Sequence, residues 1–229
     1  MSTISANLQA VLACINQTAQ RYERNPRDIA LLAVSKTWPA QAVRDAAAVG
    51  QRAFGENYVQ EAVDKIAELG ELGLEWHFIG PLQSNKTRLV AEHFDWVHSV
   101  DRLKIAERLA EQRPASLPPL SVCLQVNISG EAAKSGVRPA EASAVAHAIA
   151  NLPRLRLRGL MAIPAPEDNL EAQRRPFRQM HELYEQLRAE GLALDTLSMG
   201  MSHDLEAAIA EGATLLRIGT AIFGERNYL

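Results

Sequence analysis

Along this chain, short apolar runs of strand length alternate with longer stretches in which apolar residues recur every third or fourth position. The first 25 residues, MSTISANLQAVLACINQTAQRYERN, are amphipathic and mixed in charge, and they predict a helix ahead of the first strand. Eight runs then read as strands: 29–36 (IALLAVSK), 52–57 (RAFGEN), 74–80 (LEWHFIG), 95–100 (DWVHSV), 120–128 (LSVCLQVNI), 155–164 (LRLRGLMAIP), 196–200 (TLSMG) and 214–224 (TLLRIGTAIFG). Helical patterns lie between them, among them 39–50, 101–113 and 172–191, and many close on a glycine suited to a helix C-cap. The proline-rich stretch 113–120 (RPASLPPL) reads as a loop before the fifth strand.

Eight βα units in 229 residues predict an α/β fold of one domain over 1–229, a single (β/α)8 TIM barrel with an extra N-terminal helix. A doubly wound open sheet competes, but no GxGxxG follows the first strand. Composition changes the picture only in what it excludes. With 47% hydrophobic and 5% aromatic residues the core is aliphatic, and a formal net charge of −3 with evenly mixed signs leaves no basic stripe for nucleic acid. Any anion site must therefore be local. Cys14 and Cys123 are isolated thiols without CxxC spacing, and the histidines have no ligand-like spacing, so no disulfide and no metal is assigned. Neither a signal peptide nor a run of membrane-spanning length is found, which predicts a cytoplasmic protein with no membrane partner.

In such a barrel the strand C-terminal ends form the site. Here they are polar: Ser35-Lys36, Gly55-Glu56-Asn57, Asn127, the stretch 198–204 (SMGMSHD) and Arg217-Ile218-Gly219-Thr220. Lys36 ends an apolar strand, and alternation that turns it inward also turns Leu32 and Val34 inward. Its amine has two readings. It reaches water or pairs with a mouth carboxylate such as Glu56, or it is a desolvated amine that forms a Schiff base with a carbonyl ligand. The loops after strands 7 and 8 are the usual phosphate site of this fold. Ser202 is placed to cap the helix that follows strand 7, and Gly219 leaves its amide open beside the Thr220 hydroxyl. A plain helix cap and a tight turn would account for these residues equally well. Closure, however, brings strand 8 beside strand 1, about 5 Å away. An amine beside a phosphate loop meets the geometry of pyridoxal phosphate, whose aldehyde and phosphate sit on neighbouring arms of one ring. Arg217 shares the inward parity of Gly219, and its partner is either a barrel carboxylate or the ring nitrogen of such a cofactor.

The stretches LLAVSKTWP, FGENYVQE, WHFIGPLQSNK, RGLMAIP, MGMS and RIGTAIFG resemble the motifs of the YggS/PROSC family of pyridoxal phosphate homeostasis proteins, and the resemblance covers nearly the whole chain. That family's small barrels are related to the N-terminal domain of bacterial alanine racemase. The resemblance implies pyridoxal 5'-phosphate held as an internal aldimine on Lys36, with Ser202, Gly219 and Thr220 on its phosphate, Ser198 as a phosphate neighbour, Arg217 facing the pyridine nitrogen and Asn57 beside the ring. It further implies a protein that stores, buffers or delivers the cofactor, with apoenzymes that use it as candidate partners and no catalytic residue of its own. Two enzymes remain as alternatives, an amino-acid racemase and a Schiff-base aldolase acting on a phosphosugar. The racemase needs a second base opposite the lysine, and neither Tyr58 nor Tyr228 is obviously placed for it. Where the family often has an acidic residue this chain has His203, and its end, GERNYL, lacks the lysines of some members.

Overall fold

The computed structural model describes residues 3–131 and 134–225. Tyr228 and most of the GERNYL ending lie outside them. Eight parallel strands, β1 (Ala30–Val34), β2 (Ala53–Glu56), β3 (Glu75–Phe78), β4 (Trp96–Val100), β5 (Leu120–Gln125), β6 (Leu155–Met161), β7 (Thr196–Ser198) and β8 (Leu215–Ile218), pair in chain order, and β8 returns to β1. The barrel is closed. Seven helices alternate with the strands: α2 (Ala40–Ala47), α3 (Val59–Glu68), α4 (Thr87–His93), α5 (Leu103–Gln112), α6 (Pro139–Ala150), α7 (Leu170–Ala189) and α8 (Leu205–Ala210). Among the described residues no helix is long and apolar enough to cross a membrane, and no group of three or more His, Cys, Asp or Glu could hold a metal ion.

Strand alternation divides the core into two spaces. Leu31 and Ala33 of β1 join the continuous apolar layer under the helices, whereas Leu32 and Val34 are buried apart from it. On β8, Leu216 and Ile218 belong to that outer layer, and Leu215 and Arg217 turn toward the axis. Helix α1 (Thr3–Arg21) precedes the barrel and buries Leu8, Val11, Ile15, Thr18 and Ala19 at three- and four-residue spacing. It packs on α2, on α8 and on a short helix α9 (Thr220–Phe223). Asn7 Nδ2 donates to Ile222 O (3.0 Å), and Arg24 Nη1 donates to Ile209 O (3.0 Å) and Ala213 O (2.7 Å). The extra helix thereby fixes the two elements that follow strands 7 and 8.

Two sequence expectations change, and one irregularity is added. The run 214–224 is a strand only as far as Ile218; Ile222 and Phe223 donate their amides to Gly219 O, so its apolar second half turns helical. A short apolar run does not distinguish strand from helix. Helix α8 begins at Leu205, so Ser202 does not cap it. Asp204 stands at the cap position and accepts from the Met201 amide through Oδ1. In β6 the register against β5 skips at Arg158, because Val122 pairs with Leu157 and Cys123 with Gly159. That bulge reverses the facing of the second half of β6.

Candidate functional site

Lys36 lies two residues past β1, half-buried, in a turn whose neighbours on both sides are anchored. Ser35 donates its amide to Gly55 O (3.0 Å) and its hydroxyl to Glu56 Oε1 (2.7 Å). Its carbonyl accepts from Lys65 Nζ (2.9 Å). Thr37 donates its amide to Glu61 Oε1 (2.7 Å) and sits at φ 67°, a left-handed conformation that a β-branched residue rarely adopts. Lys65 Nζ binds both acids, Glu56 at 2.8 Å and Glu61 at 2.6 Å. A buried ion cluster thus over-determines a strained turn, as structure must wherever strain persists. Glu56 Oε1 binds both Lys65 and Ser35. Burial pushes its carboxyl above the usual range, and the Lys65 ammonium pulls it back.

Sequence reasoning missed Lys65. The available signal was its position in α3, three residues from Ala62 and six from Val59 on the buried face, with Glu61 one turn before it.

The β1–β8 register pairs Ala33 with Ile218, which sets Gly219 alongside Val34. A Cβ at Gly219 would stand 3.1 Å from Val34 O and 3.3 Å from Val34 Cβ, so the two backbones approach closely at the point where β1 leads into the Lys36 turn. Thr220, exposed, opens α9 from there, and Ser202, half-buried, lies in the turn after β7. Gly219, Thr220 and the Lys36 turn meet at one edge of the mouth. Asn57 follows β2 on the other side, in a cavity of about 300 Å³ shared with Ile79, Pro81, Asn127 and Ile163. Its Oδ1 is buried with no hydrogen-bond partner among the described residues, as is Asn127 Oδ1.

Arg217 is buried below the mouth, and among the described residues no carboxylate forms an ion pair with it. Its Nη1 donates to Ser198 O (2.7 Å) and Ser198 Oγ (2.8 Å), and its Nη2 donates to Ala162 O (2.9 Å). Among the described residues these bonds use three of its five N–H donors. Burial draws the guanidinium down to about 10, opposed by the nearby Asp204, so it remains a cation at neutral pH. Ser198, expected beside the phosphate, has its hydroxyl engaged by Arg217 and by His98 Nδ1 (2.8 Å). It supports the arginine. His77 is buried inside the barrel against His98. His203 is exposed, and Tyr58 stands exposed just before α3.

These donors suit a ligand that carries a carbonyl, an anionic arm and a ring acceptor. A half-buried lysine, hydroxyls beside a glycine backbone, and a guanidinium with unspent N–H groups are all present, and the orphaned Asn57 oxygen is an unused acceptor.

The model of the alanine racemase N-terminal domain family matches residues 6–227. Over 228 residues the chain is 64% identical to the pyridoxal phosphate homeostasis protein of Pseudomonas aeruginosa, with 100% of this chain and 98% of that one covered. The chain belongs to the pyridoxal phosphate homeostasis protein family. It is 60% identical over 231 residues to the Escherichia coli protein of that name, covering 99% of it. The structure of PipY from Synechococcus elongatus with pyridoxal phosphate bound superposes with a TM-score of 0.83 at 40% identity, covering 96% of this chain and 100% of that one. Alanine racemase from Corynebacterium glutamicum matches with a TM-score of 0.70 at 18% identity, covering 98% of this chain and 61% of the racemase, a likeness of fold. In this member of the pyridoxal phosphate homeostasis family, the barrel gathers Lys36, Gly219 and Thr220 at one side of the mouth and sets Arg217 beneath it.

Proposed function

We propose that this chain, a single barrel domain over 1–229, binds pyridoxal 5'-phosphate at the barrel mouth, holds it covalently on the Lys36 amine, and acts non-catalytically in homeostasis by storing, buffering or delivering it. The observation that carries the reading is the anchored Lys36 turn lying against the Gly219 backbone across the β1–β8 seam. High identity to pyridoxal phosphate homeostasis proteins and the pyridoxal phosphate bound by PipY support it. In this reading Ser202, Gly219 and Thr220 hold the phosphate, Asn57 lies beside the ring, and Arg217, steadied by Ser198, faces the ring nitrogen. Apoenzymes dependent on the cofactor are the proposed recipients.

The non-catalytic part rests on Arg217. When bound, the cofactor supplies an electron sink that is strongest when an acidic side chain keeps the ring nitrogen protonated. Arginine donates hydrogen bonds and accepts none, so it leaves that nitrogen unprotonated and the sink weak.

Two experiments test the proposal. Borohydride reduction of the yellow protein followed by peptide mapping should place the label on Lys36. Label confined to Lys65, Lys86, Lys104 or Lys134 overturns the assignment, and Lys65 in particular is spent inside the ion cluster. Incubation with L- and D-alanine in deuterated water should show no Cα exchange at an enzymatic rate. Rapid exchange abolished in Lys36→Ala would make the protein an enzyme.

A further inference from the structure

A chain of polar side chains runs through the barrel interior from its base to Arg217. Glu75 Oε1 meets His77 Nε2 at 2.7 Å, His77 Nδ1 meets His98 Nε2 at 2.8 Å, His98 Nδ1 meets Ser198 Oγ at 2.8 Å, and Ser198 Oγ accepts from Arg217 Nη1 at 2.8 Å. Both histidines and Ser198 are buried, while the Glu75 side chain is 51% exposed at the base. It opens there into a cavity of about 250 Å³ that also receives Arg27, Asp28, Arg158 and Asp195. The Trp96 ring stacks on His77 (5.2 Å between centroids, 8° between planes), and the Arg158 guanidinium lies 4.5 Å over the same indole.

The carboxylate end fixes the direction of every bond in the chain so long as each ring carries one proton. Arginine only donates and a carboxylate only accepts. The Ser198 hydroxyl, accepting from Arg217, donates to His98 Nδ1. His98 then carries its proton on Nε2 and donates to His77 Nδ1, and His77 carries its proton on Nε2 and donates to Glu75. The opposite order would set the bare Nε2 lone pair of His77 against the carboxylate at 2.7 Å. A second proton on either ring is opposed by burial, which lowers both histidines, and His98 is lowered further by His77 and Arg217. The hydrogen bond from His77 holds the Glu75 carboxyl below its usual range and therefore ionised.

We propose that Glu75, at the base of the barrel, is a positioning residue for Arg217 at the mouth, acting through a one-directional hydrogen-bond chain over His77, His98 and Ser198. With the carboxylate as terminal acceptor, the Ser198 hydroxyl spends its proton on His98 Nδ1, and no ring N–H competes with Arg217 Nη1 for the Ser198 oxygen. That pins the guanidinium plane and fixes where its unspent N–H groups aim. Replacing the carboxylate by an amide removes the constraint, because glutamine can donate to His77 Nε2 and let the chain run the other way. The consequence for the cofactor rests on the proposed place of Arg217 at the ring nitrogen. The chain itself does not.

The test uses the full-length protein with ¹⁵N-labelled histidine and arginine, first free of cofactor. In the wild type both His77 and His98 should be Nε2–H tautomers that do not change between about pH 6 and 8. Glu75→Gln, a near-isosteric change at a half-exposed position, should bring Nδ1–H forms into both rings and move the Arg217 guanidinium resonances. Glu75→Asp, which keeps the acceptor, should restore the wild-type tautomers at least in part. An Nδ1–H tautomer in either wild-type ring overturns the proposal, as does a Glu75→Gln protein whose rings or Arg217 signals match the wild type. The visible absorption of protein loaded with pyridoxal phosphate, compared between wild type and Glu75→Gln, then reads the effect at the ring. A shift is expected; an unchanged spectrum with altered tautomers and altered Arg217 signals confines the role to Arg217 and overturns its proposed place at the nitrogen.

Discussion

Lys65 carries a charge into a position its helix would otherwise fill with an aliphatic side chain. It does so because three acceptors meet its ammonium there, the Ser35 carbonyl, Glu56 and Glu61. Removing one member of a buried pair costs more than the pair contributes, since the other charge is left stranded. Lys65→Met should therefore destabilise the protein by about 3–5 kcal/mol. The sign of the pH dependence follows from Glu56. Burial already raises its carboxyl in the folded state, and loss of the ammonium raises it further. The folded variant then binds a proton that the unfolded chain has released above about pH 4.3, so its stability falls as pH rises. Equilibrium urea unfolding at about pH 5 and pH 7.5 should show the larger deficit at the higher pH. An equal deficit at both would mean that Glu56 is not the stranded charge.

At the scale of elements, β6 and β7 meet so closely at Gly159 that a Cβ there would fall 1.6 Å from Thr196 O and 2.6 Å from Thr196 C. Both are backbone atoms, and relief requires prying the strands apart at their first pair, Gly159 with Thr196. Gly159→Ala should cost at least the roughly 1–3 kcal/mol typical of overpacking. It should also loosen Arg217, whose support at Ser198 sits on the displaced strand. Gly70→Ala is the control, because nothing lies within 4 Å of its Cβ. A thermal midpoint for Gly159→Ala close to that of the control would contradict this account. The same region shows what the sequence discloses and what it does not. Strand number, order and closure were legible because period-two runs punctuated by helices leave few ways to bury both faces. The mouth residues followed from strand ends. The bulge at Arg158 leaves no periodic trace, and the apolar run after Gly219 suits strand and helix alike. Lys65, His98 and the true partners of Ser198 depend on side chains brought together from separate strands, which no local spacing announces.

Across the whole molecule, the interior chain makes stability sensitive to mild acid. His77 and His98 are buried and held neutral in the folded state, His98 the more strongly, and in both cases burial is the leading cause. Above about pH 6.5 the unfolded chain also keeps these rings neutral, so they contribute no pH dependence. Below it the unfolded state takes up protons that the folded state refuses, and the free energy of unfolding falls as pH falls, until the folded rings themselves titrate. Two groups titrating fully in the unfolded state alone give a loss of up to about 2.7 kcal/mol between roughly pH 7.5 and 5.5, or half that from one. Over this range the ordinary carboxylates remain ionised in both states, and the carboxyls of Glu56 and Asp204, raised by burial and acting in the opposite sense, are common to the wild type and the His98 variant, so the difference between the two isolates the histidine contribution. His98→Gln keeps a polar side chain against Ser198 and His77 but does not titrate, so its stability should depend on pH about half as steeply as the wild type. Urea unfolding across that range checks both slopes. A wild-type protein whose stability is flat from pH 7.5 to 5.5, or a variant as steep as the parent, would show that the folded barrel accepts protons on this chain and that its one-way order is not maintained.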